Sequence, residues 1–480
     1  LSHDQGAGVV QIVMPQNWLF LTTYRRQRES LLRRTRLQIL VKLGGGAEAF
    51  SNGPGNITNI CMLSASRADS AQGNIYGLDL SDSPSPDEKA AALLTTSLLS
   101  SDQTAQLQNP DARVVLGEME AGALLERYCS ALAGINTGDY SRWGRCWWEL
   151  VEVAGDWEYQ QTTTAASQNF TGMTQAVKWC GGAGEYAAYV EAMGGRLGGS
   201  WRRGANVWGK TGVVVSQMSV LPVSIYGGRA FDSNVSAIVP HDQANAAAVL
   251  AFCESPDFCE AVRRIDQKLN VTNATLAKVP FDLIHWQKVA SERYPDGLPE
   301  PYSDDPTQWL FHGHPQPATD PLQVAVARLA GYRWPAETDT AMKLAGEART
   351  WIARCVQLAE HTDDDGIVCL PSVRGEAPAH DRLLKLLIAA WETVQPGSGK
   401  PAVLDKLLAD ADCAGKGLDV WLRDKFFEQH AKRFHHRPFI WHVWDGLKDG
   451  FAALVNYHQL DHKKLERLIH THLGDWIRQQ

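Results

Sequence analysis

Residues 6–34 read GAGVVQIVMPQNWLFLTTYRRQRESLLRR, and the fold class turns on this stretch. VVQIVM is a short continuous apolar run, the pattern of a parallel strand covered on both faces. Pro15 and Asn17 end it. TTYRRQRESLLRR then has helical spacing, with Leu31 and Leu32 inward and Arg25, Arg26, Arg28, Arg33 and Arg34 mostly outward. LQILVKL predicts a second strand and ITNICMLSA a third, with the loop GGGAEAFSNGPG between them. Residues 1–68 therefore predict β-α-β-β. They look like the late strands of a doubly wound sheet. Such sheets carry cofactor loops at the carboxyl ends of their early strands, near the switch point. The sequence contains no such early strands, which leaves VVQIVM with an unpaired flank, and an exposed edge is a liability.

The rest of the chain divides by composition. Residues 69–135 open on a polar Ser/Asp/Pro stretch and predict helices around EKAAALLTTSLL and AGALLERYCSAL, the pattern of a connector. Residues 136–282 are rich in Gly, Trp and Tyr and carry short β-type runs such as GVVVSQMSV and SAIVP, then a helix over HDQANAAAVLAFCES. Residues 283–480 are mainly helical, set off by a Pro-rich hinge, GLPEPYSDDP and HPQPATDP. There is no internal repeat.

The bulk numbers exclude some classes. The 480 residues are 44% hydrophobic and 21% charged, ordinary for a globular chain of several domains. A net charge of −8 gives no global basic field, so nucleic-acid binding would have to live in a local patch. Nine Cys, with no CxxC, point to free thiols and a reducing, cytoplasmic compartment. The sequons at Asn56, Asn169, Asn234, Asn270 and Asn273 are then chance. No apolar run approaches the roughly 18 residues of a membrane span. Seventeen Trp is a rich complement. For Trp143, Trp147, Trp148, Trp179, Trp201 and Trp208, in polar Gly-containing segments, a core role is less automatic.

Motifs with general chemistry are few. GANVWGKT, Gly204 to Thr211, matches the phosphate-loop pattern, but that loop needs a strand before it and a helix after it. Here a strand-like run follows. What survives is a basic, aromatic loop with Arg202, Arg203, Trp208 and Lys210, suited to phosphate contact or to plain solvation. His458 and His462 are four apart and His470 and His472 two apart, yet HExxH is absent and an amphipathic helix explains them. No Cys/His pairing stands out. Asp363–Asp365 reads as a solvated acidic turn.

The order of the segments resembles a known family. Residues 6–50 with NITNICMLSAS look like the later part of the adenine-N6 DNA methyltransferase domain of large type II restriction–modification and phage-defence (BREX, DISARM) enzymes. Leu43, Gly44, Gly46 and Ala47 fit that family's Leu-Gly-x-Gly-Ala-Phe loop, with an extra residue before Phe50, and Asn59 falls where the last strand begins. INTGDYSRWGRCWWEL resembles the opening segment of the family's target recognition domain, with Tyr140 in place of the usual Asn. QAVKWCGGAGEYAAYV is similar to its Lys-Trp-x-Gly-Gly block, and SIYGGRAFD stands where a Ser-x-Arg-Tyr turn is usual. NVTNATLAKVPFD resembles the closing strand. RPFIWHVWDGLKDGFAALVNYHQLDHKKLERLI resembles a C-terminal block.

The resemblance implies a multidomain α/β and α+β protein. Residues 1–68 would be the C-terminal part of a doubly wound methyltransferase sheet, 69–135 a helical connector, 136–282 a mixed α+β target recognition domain and 283–480 a mainly helical C-terminal domain. It implies S-adenosyl-L-methionine as cofactor of the full-length enzyme and double-stranded DNA as partner, with other defence or restriction subunits possible. The Asn-Pro-Pro-Tyr motif that positions a flipped adenine is not in this sequence, so no catalytic residue is assigned and the chain alone is expected to be inactive. Expected DNA contacts are Lys178, Arg202, Arg203, Lys210 and Arg229, the last behind two glycines that would let the backbone approach the duplex. Gln16, Asn17 and Trp18 leave the first strand at its carboxyl end and are expected to border the cofactor or base pocket, or to cap the strand. A non-catalytic specificity or assembly subunit is the alternative reading.

Overall fold

The computed structural model describes residues 8–45, 58–67, 73–117, 122–193, 203–266, 268–392 and 401–480. Gly46, Ala47, Phe50, Asn56, Trp201 and Arg202 lie outside the described residues. The chain forms two compact units, each discontinuous in sequence: residues 1–132, 211–223 and 236–295, and residues 133–210, 224–235 and 296–480. Residues 136–282 contribute to both. The architecture is mixed α/β with several small sheets.

The first unit is built on the sheet β1-β3-β2-β4-β5. Its strands are β1 (Val9–Pro15), β2 (Thr35–Gly44), β3 (Ile60–Arg67), β4 (Asn74–Asp79) and β5 (Leu99–Asp102). β3 runs antiparallel to both β1 and β2, so β1 and β2 are parallel to each other and α1 (Arg25–Arg34) is their crossover. The predicted β-α-β-β order is present. The expectation that β1 is doubly covered is not met. It is an edge strand, antiparallel to its neighbour, with Val9, Ile12 and Val13 exposed. An apolar run specifies an extended segment and says nothing of what lies beside it.

α1 buries Leu32 and closes its surface with an Arg25–Glu29 pair at 2.9 Å, one turn apart. Arg33 and Arg34 in its last turn complement the helix dipole. Arg28 is expected outward but is fully buried. Its guanidinium donates to the carbonyls of Trp18 and Leu21, both at 2.7 Å, and to those of Asp111 and Ala112. Five N–H donors in a fixed fork satisfy chain ends that converge there.

Residues 69–135 are not a helical connector. β4 and β5 extend the sheet, and β4 pairs parallel to β2. Only α2 (Pro86–Thr95) is helical in the manner expected, with Ser85 as its N-cap and Pro86 in its first turn. AGALLERYCSAL becomes a 3-10 turn and then β6 (Cys129–Ala133). Its Ala/Leu composition favours helix, but the Leu125 N–H bonds the Val279 carbonyl at 2.9 Å and the Tyr128 carbonyl accepts from His241 N–H at 2.8 Å. Tertiary pairing overrides propensity here.

In the second unit, β7 (Gly144–Cys146), β8 (Trp157–Gln161), β9 (Gln175–Lys178) and β12 (Ala230–Phe231) form a sheet in the order β12-β8-β9-β7. In the first unit, β10 (Gly212–Ser216) neighbours β13 (Val235–Pro240), and β13 neighbours β6, while β11 (Val223–Tyr226) carries the chain from one unit to the other. Residues 296–480 are mostly helical and add the sheet β14-β16-β15, made by Ile367–Cys369, Ala452–Asn456 and Ile440–Trp444 respectively.

The Pro-rich hinge is core instead. Trp309, Phe311, His312 and His314 are buried, and the indoles of Trp147 and Trp334 donate to the carbonyls of Thr307 and Pro306, each at 2.8 Å. The prolines fix an irregular path that the aromatics anchor. Trp143, Trp147, Trp148 and Trp179 are likewise buried, so these tryptophans are core after all. All nine cysteines are free. Among the described residues no helix is long and apolar enough to cross a membrane.

Candidate nucleic-acid interface

Strand register assembles the basic residues. β7 and β8 flank β9, with Arg145 opposite Ala176 and Ala176 opposite Tyr159. Trp157 stands opposite Lys178. Side chains alternate along a strand, so Arg145, Lys178, Trp157 and Tyr159 share one face. The other face sends Val177 into a core cluster with Trp143, Trp179 and Tyr186. On the shared face the Lys178 ammonium is 5.7 Å and the Arg145 guanidinium 6.0 Å from the Trp157 ring centroid. Arg229, one residue before β12, sets its guanidinium 5.2 Å from the Tyr159 ring. Trp309 backs Tyr159 from 4.8 Å, which fixes the ring. Each cation is held over an aromatic face by roughly 0.5–1 kcal/mol at exposed sites, enough to orient a charge without neutralising it.

A second contact brings Lys210 beside Arg229. The Gly209 N–H donates to the Gly228 carbonyl at 2.9 Å, clasping the GANVWGKT loop to the GGR turn. Gly228 has φ +82, and a Cβ there would lie 2.8 Å from the Gly209 nitrogen. The tight glycine thus serves the approach of one loop to another. Lys210 and Arg229 are exposed. Arg203 is exposed ahead of Gly204, where a Cβ would strike the Phe231 ring at 2.5 Å. Lys178 is ion-paired with Glu185 at 2.7 Å, and the ammonium holds that carboxyl below its usual range. Arg145, Arg203, Lys210 and Arg229 have no carboxylate within ion-pair distance among the described residues.

Sequence reasoning missed Arg145. It stands in the quoted segment SRWGRCWW, but only the register with β9 shows that it shares a face with Lys178. GANVWGKT is a 3-10 turn, Ala205–Val207, followed by strand β10, so the helix a phosphate loop requires is not there.

The cofactor candidates lie in the first unit. Gln16 and Trp18 are buried and Asn17 is half-buried in a 3-10 turn, Gln16–Leu19, at the end of β1. Trp18 packs into the cluster with Leu32, Leu37 and Leu40. Of the three, Asn17 alone has a side chain open enough to reach a ligand.

One constellation resembles catalytic machinery. His472 Nε2 is 3.4 Å from Asp365 Oδ2, and its Nδ1 is 3.6 Å from Cys369 Sγ. The sequence showed no Cys/His pairing because 103 residues separate the two. All three side chains are buried, and burial pushes the Cys369 thiol up to about 12, so no thiolate nucleophile forms at neutral pH. Nor is Asp363–Asp365 a solvated turn: Asp363 pairs with Arg382 at 2.7 Å and Asp365 with Arg467 at 2.9 Å. His458 Nε2–H donates to the Trp148 carbonyl at 2.8 Å. Among the described residues no group of three or more His, Cys, Asp or Glu could hold a metal ion.

No protein-family model and no curated protein matches the chain. Solved structures similar to it include the type IIL restriction-modification enzyme MmeI in complex with DNA, at 9% identity and a TM-score of 0.33 over 80% of this chain and 50% of that one. A nuclease-deletion mutant of the type ISP restriction-modification enzyme LlaGI with a DNA substrate mimic matches at 11% and 0.32, over 62% of this chain and 30% of that one. The DrdV–DNA complex matches at 10% and 0.29, over 90% and 49%. The chain thus spans half or less of the length of these structures. At such TM-scores the likenesses do not decide a function.

Proposed function

We propose that this chain is the DNA-recognition and partial catalytic-domain portion of an S-adenosylmethionine-dependent adenine-N6 DNA methyltransferase of restriction–modification or phage defence. The observation that carries the reading is the cation–aromatic face of β7, β9 and β8, extended by Arg229 and Lys210. Phosphate contacts of this kind set register and orientation on a duplex, and bidentate Arg can read guanine. The methyltransferase part is supported by the β1–α1–β2 crossover with antiparallel β3 between its strands. Doubly wound sheets carry such antiparallel strands at their margins. Methyl transfer needs the Asn-Pro-Pro-Tyr motif and a Gly-rich cofactor loop, which this sequence does not contain. No step is therefore assigned to residues of this chain. Nine free cysteines support a reducing, cytoplasmic setting.

The second reading, a non-catalytic specificity or assembly subunit, is favoured by the exposed apolar edge strand β1, which another protein could pair. Duplex binding measured by fluorescence anisotropy across a salt series tests the shared claim. Affinity should fall steeply with salt; no binding at low salt would sink both readings. The residues encoded before Leu1 separate them, because a Gly-rich loop and Asn-Pro-Pro-Tyr there establish the first.

A further inference from the structure

In the second unit, a cavity of about 570 Å³ opens beside the proposed DNA face and shares Arg145 with it. Its other walls include Trp148, His435, Arg437, Trp441 and Tyr457. Trp148 is the rigid floor. Its indole donates to the Arg437 carbonyl at 3.1 Å, and its ring meets Phe434 and His435 edge-on at 5.3 and 5.4 Å. The Arg437 guanidinium is aimed by Glu149 at 2.8 Å through Nη1, which leaves its other donors open, and the side chain is 55% exposed. Trp441 and Tyr457 are half exposed, at 47% and 54%, so aromatic surface stands in water at the rim. His435 and His436 both hold left-handed backbone, φ 54 and 58, where glycine is the unstrained choice. The turn is pinned by His436 N–H to the Ala431 carbonyl at 2.7 Å. Burial keeps the His435 imidazole below its usual pKa, so the two arginines supply positive charge at the cavity, which Glu149 also lines while paired with Arg437.

We infer that this cavity seats one unpaired nucleotide of a nucleic-acid strand, its phosphate on Arg437 and Arg145 and its base against Trp441 and Tyr457. A base offers its π-face only when it is unstacked, and arginine with aromatic platforms is the chemistry that captures it. The volume suits one base with its sugar and phosphate. The inference rests on the DNA reading through Arg145, but its test is independent of duplex binding. A free nucleoside monophosphate has the same chemistry as a nucleotide within a strand, and the two are separated below.

The full chain is titrated with an oligothymidylate while its tryptophan fluorescence is followed, and separately with a duplex. Oligothymidylate should quench the fluorescence. Trp441→Ala and Arg437→Ala should each weaken that binding about tenfold or more, the loss expected for one stacked base or its phosphate. Both should leave duplex affinity within about twofold of the parent. Tyr457→Ala, at an exposed position, repeats the test should either variant fold poorly. Competition by thymidine monophosphate, but not by inorganic phosphate, assigns the pocket to free nucleotides as well; failure of both to compete assigns it to the strand. Competition by inorganic phosphate equal to that of the nucleotide overturns the proposal, as does oligothymidylate binding that is absent or unchanged in all three variants. Pocket-dependent single-strand binding without duplex binding would keep this site and overturn the function proposed above.

Discussion

Lys178 faces Trp157 across the β8–β9 pair, yet its ammonium is already claimed by Glu185 at 2.7 Å. Arg229 faces Tyr159 with no such partner among the described residues. The two cations therefore predict different outcomes. Arg229→Ala should weaken duplex binding and lower the slope of log affinity against log salt by about 0.9, one phosphate contact. Lys178→Ala should do much less, and Glu185→Ala should strengthen binding by freeing Lys178. Equal effects of Arg229→Ala and Lys178→Ala in anisotropy titrations would refute this division.

Arg145 provides a second check on the register. It lies on the Lys178 face only if β7 pairs with β9 as Arg145 opposite Ala176. Arg145→Ala should lower the salt slope by about the same 0.9 as Arg229→Ala. Arg142, with its guanidinium 4.4 Å from the Trp143 ring, lies outside that row, and its alanine variant should leave the slope unchanged. A slope sensitive to Arg142 and not to Arg145 would mean that the contact surface lies elsewhere.

The stability of the first unit depends on Arg28. Four carbonyls, those of Trp18, Leu21, Asp111 and Ala112, take its N–H groups in a buried setting. Arg28→Met keeps the apolar stem and strands those acceptors. It should cost about 3 kcal/mol or more, read as a lowered urea midpoint with little change in m. Arg28→Lys should recover only part, because one ammonium cannot replace the planar fork. A loss under about 1 kcal/mol would show that water satisfies those carbonyls.

What was legible in the sequence, and what was not, follows from the range of each interaction. The β-α-β-β order of residues 9–67 was legible because periodicity and turn residues are local. The antiparallel, exposed setting of β1 was not, since strand neighbours are chosen by residues far along the chain. Arg28 looked like one more outward arginine because helical spacing cannot see the four carbonyls that come to it. Lys178, Lys210, Arg203 and Arg229 were singled out from composition and resemblance. That Arg145 joins Lys178 across Ala176, and that Gly209 clasps Gly228, needed the register. Asp365, His472 and Cys369 meet only through the β14–β16 pairing and the C-terminal helical segment.

Cys369 should be inert despite its triad-like neighbours. Its thiol is buried, and burial raises its pKa to about 12. Iodoacetamide at mild alkaline pH should leave Cys369 unmodified in the folded chain and label it fully in denaturant, with mass-mapped peptides as the readout. Rapid labelling in the native state would reveal an accessible thiolate and revive a nucleophilic role for the cluster.

Acid should destabilise the second unit well before its carboxylates protonate. His430, His312 and His314 are fully buried, and burial lowers each pKa to about 3. His430 is bonded as the neutral ring, with Nδ1 at 3.1 Å from Gln323 Oε1 and Nε2 accepting from the Ile440 N–H at 3.2 Å. His312 and His314 accept backbone N–H groups through Nδ1. In the unfolded chain the same imidazoles titrate near 6.5. Below that pH the unfolded state binds protons the native state refuses, so their stabilisation is complete above about 6.5 and drains away as pH falls toward 3. Each contributes up to about 1.4 kcal/mol per pH unit in that window. The urea midpoint should therefore drop steeply between pH 6.5 and pH 5, before most carboxylates take part. His430→Gln, which removes one titrating ring, should flatten the slope while lowering stability at pH 7.5, where the native bonds are all made. A midpoint unchanged from pH 7.5 to pH 5 would mean that these rings take up protons as readily in the folded chain as in the unfolded one.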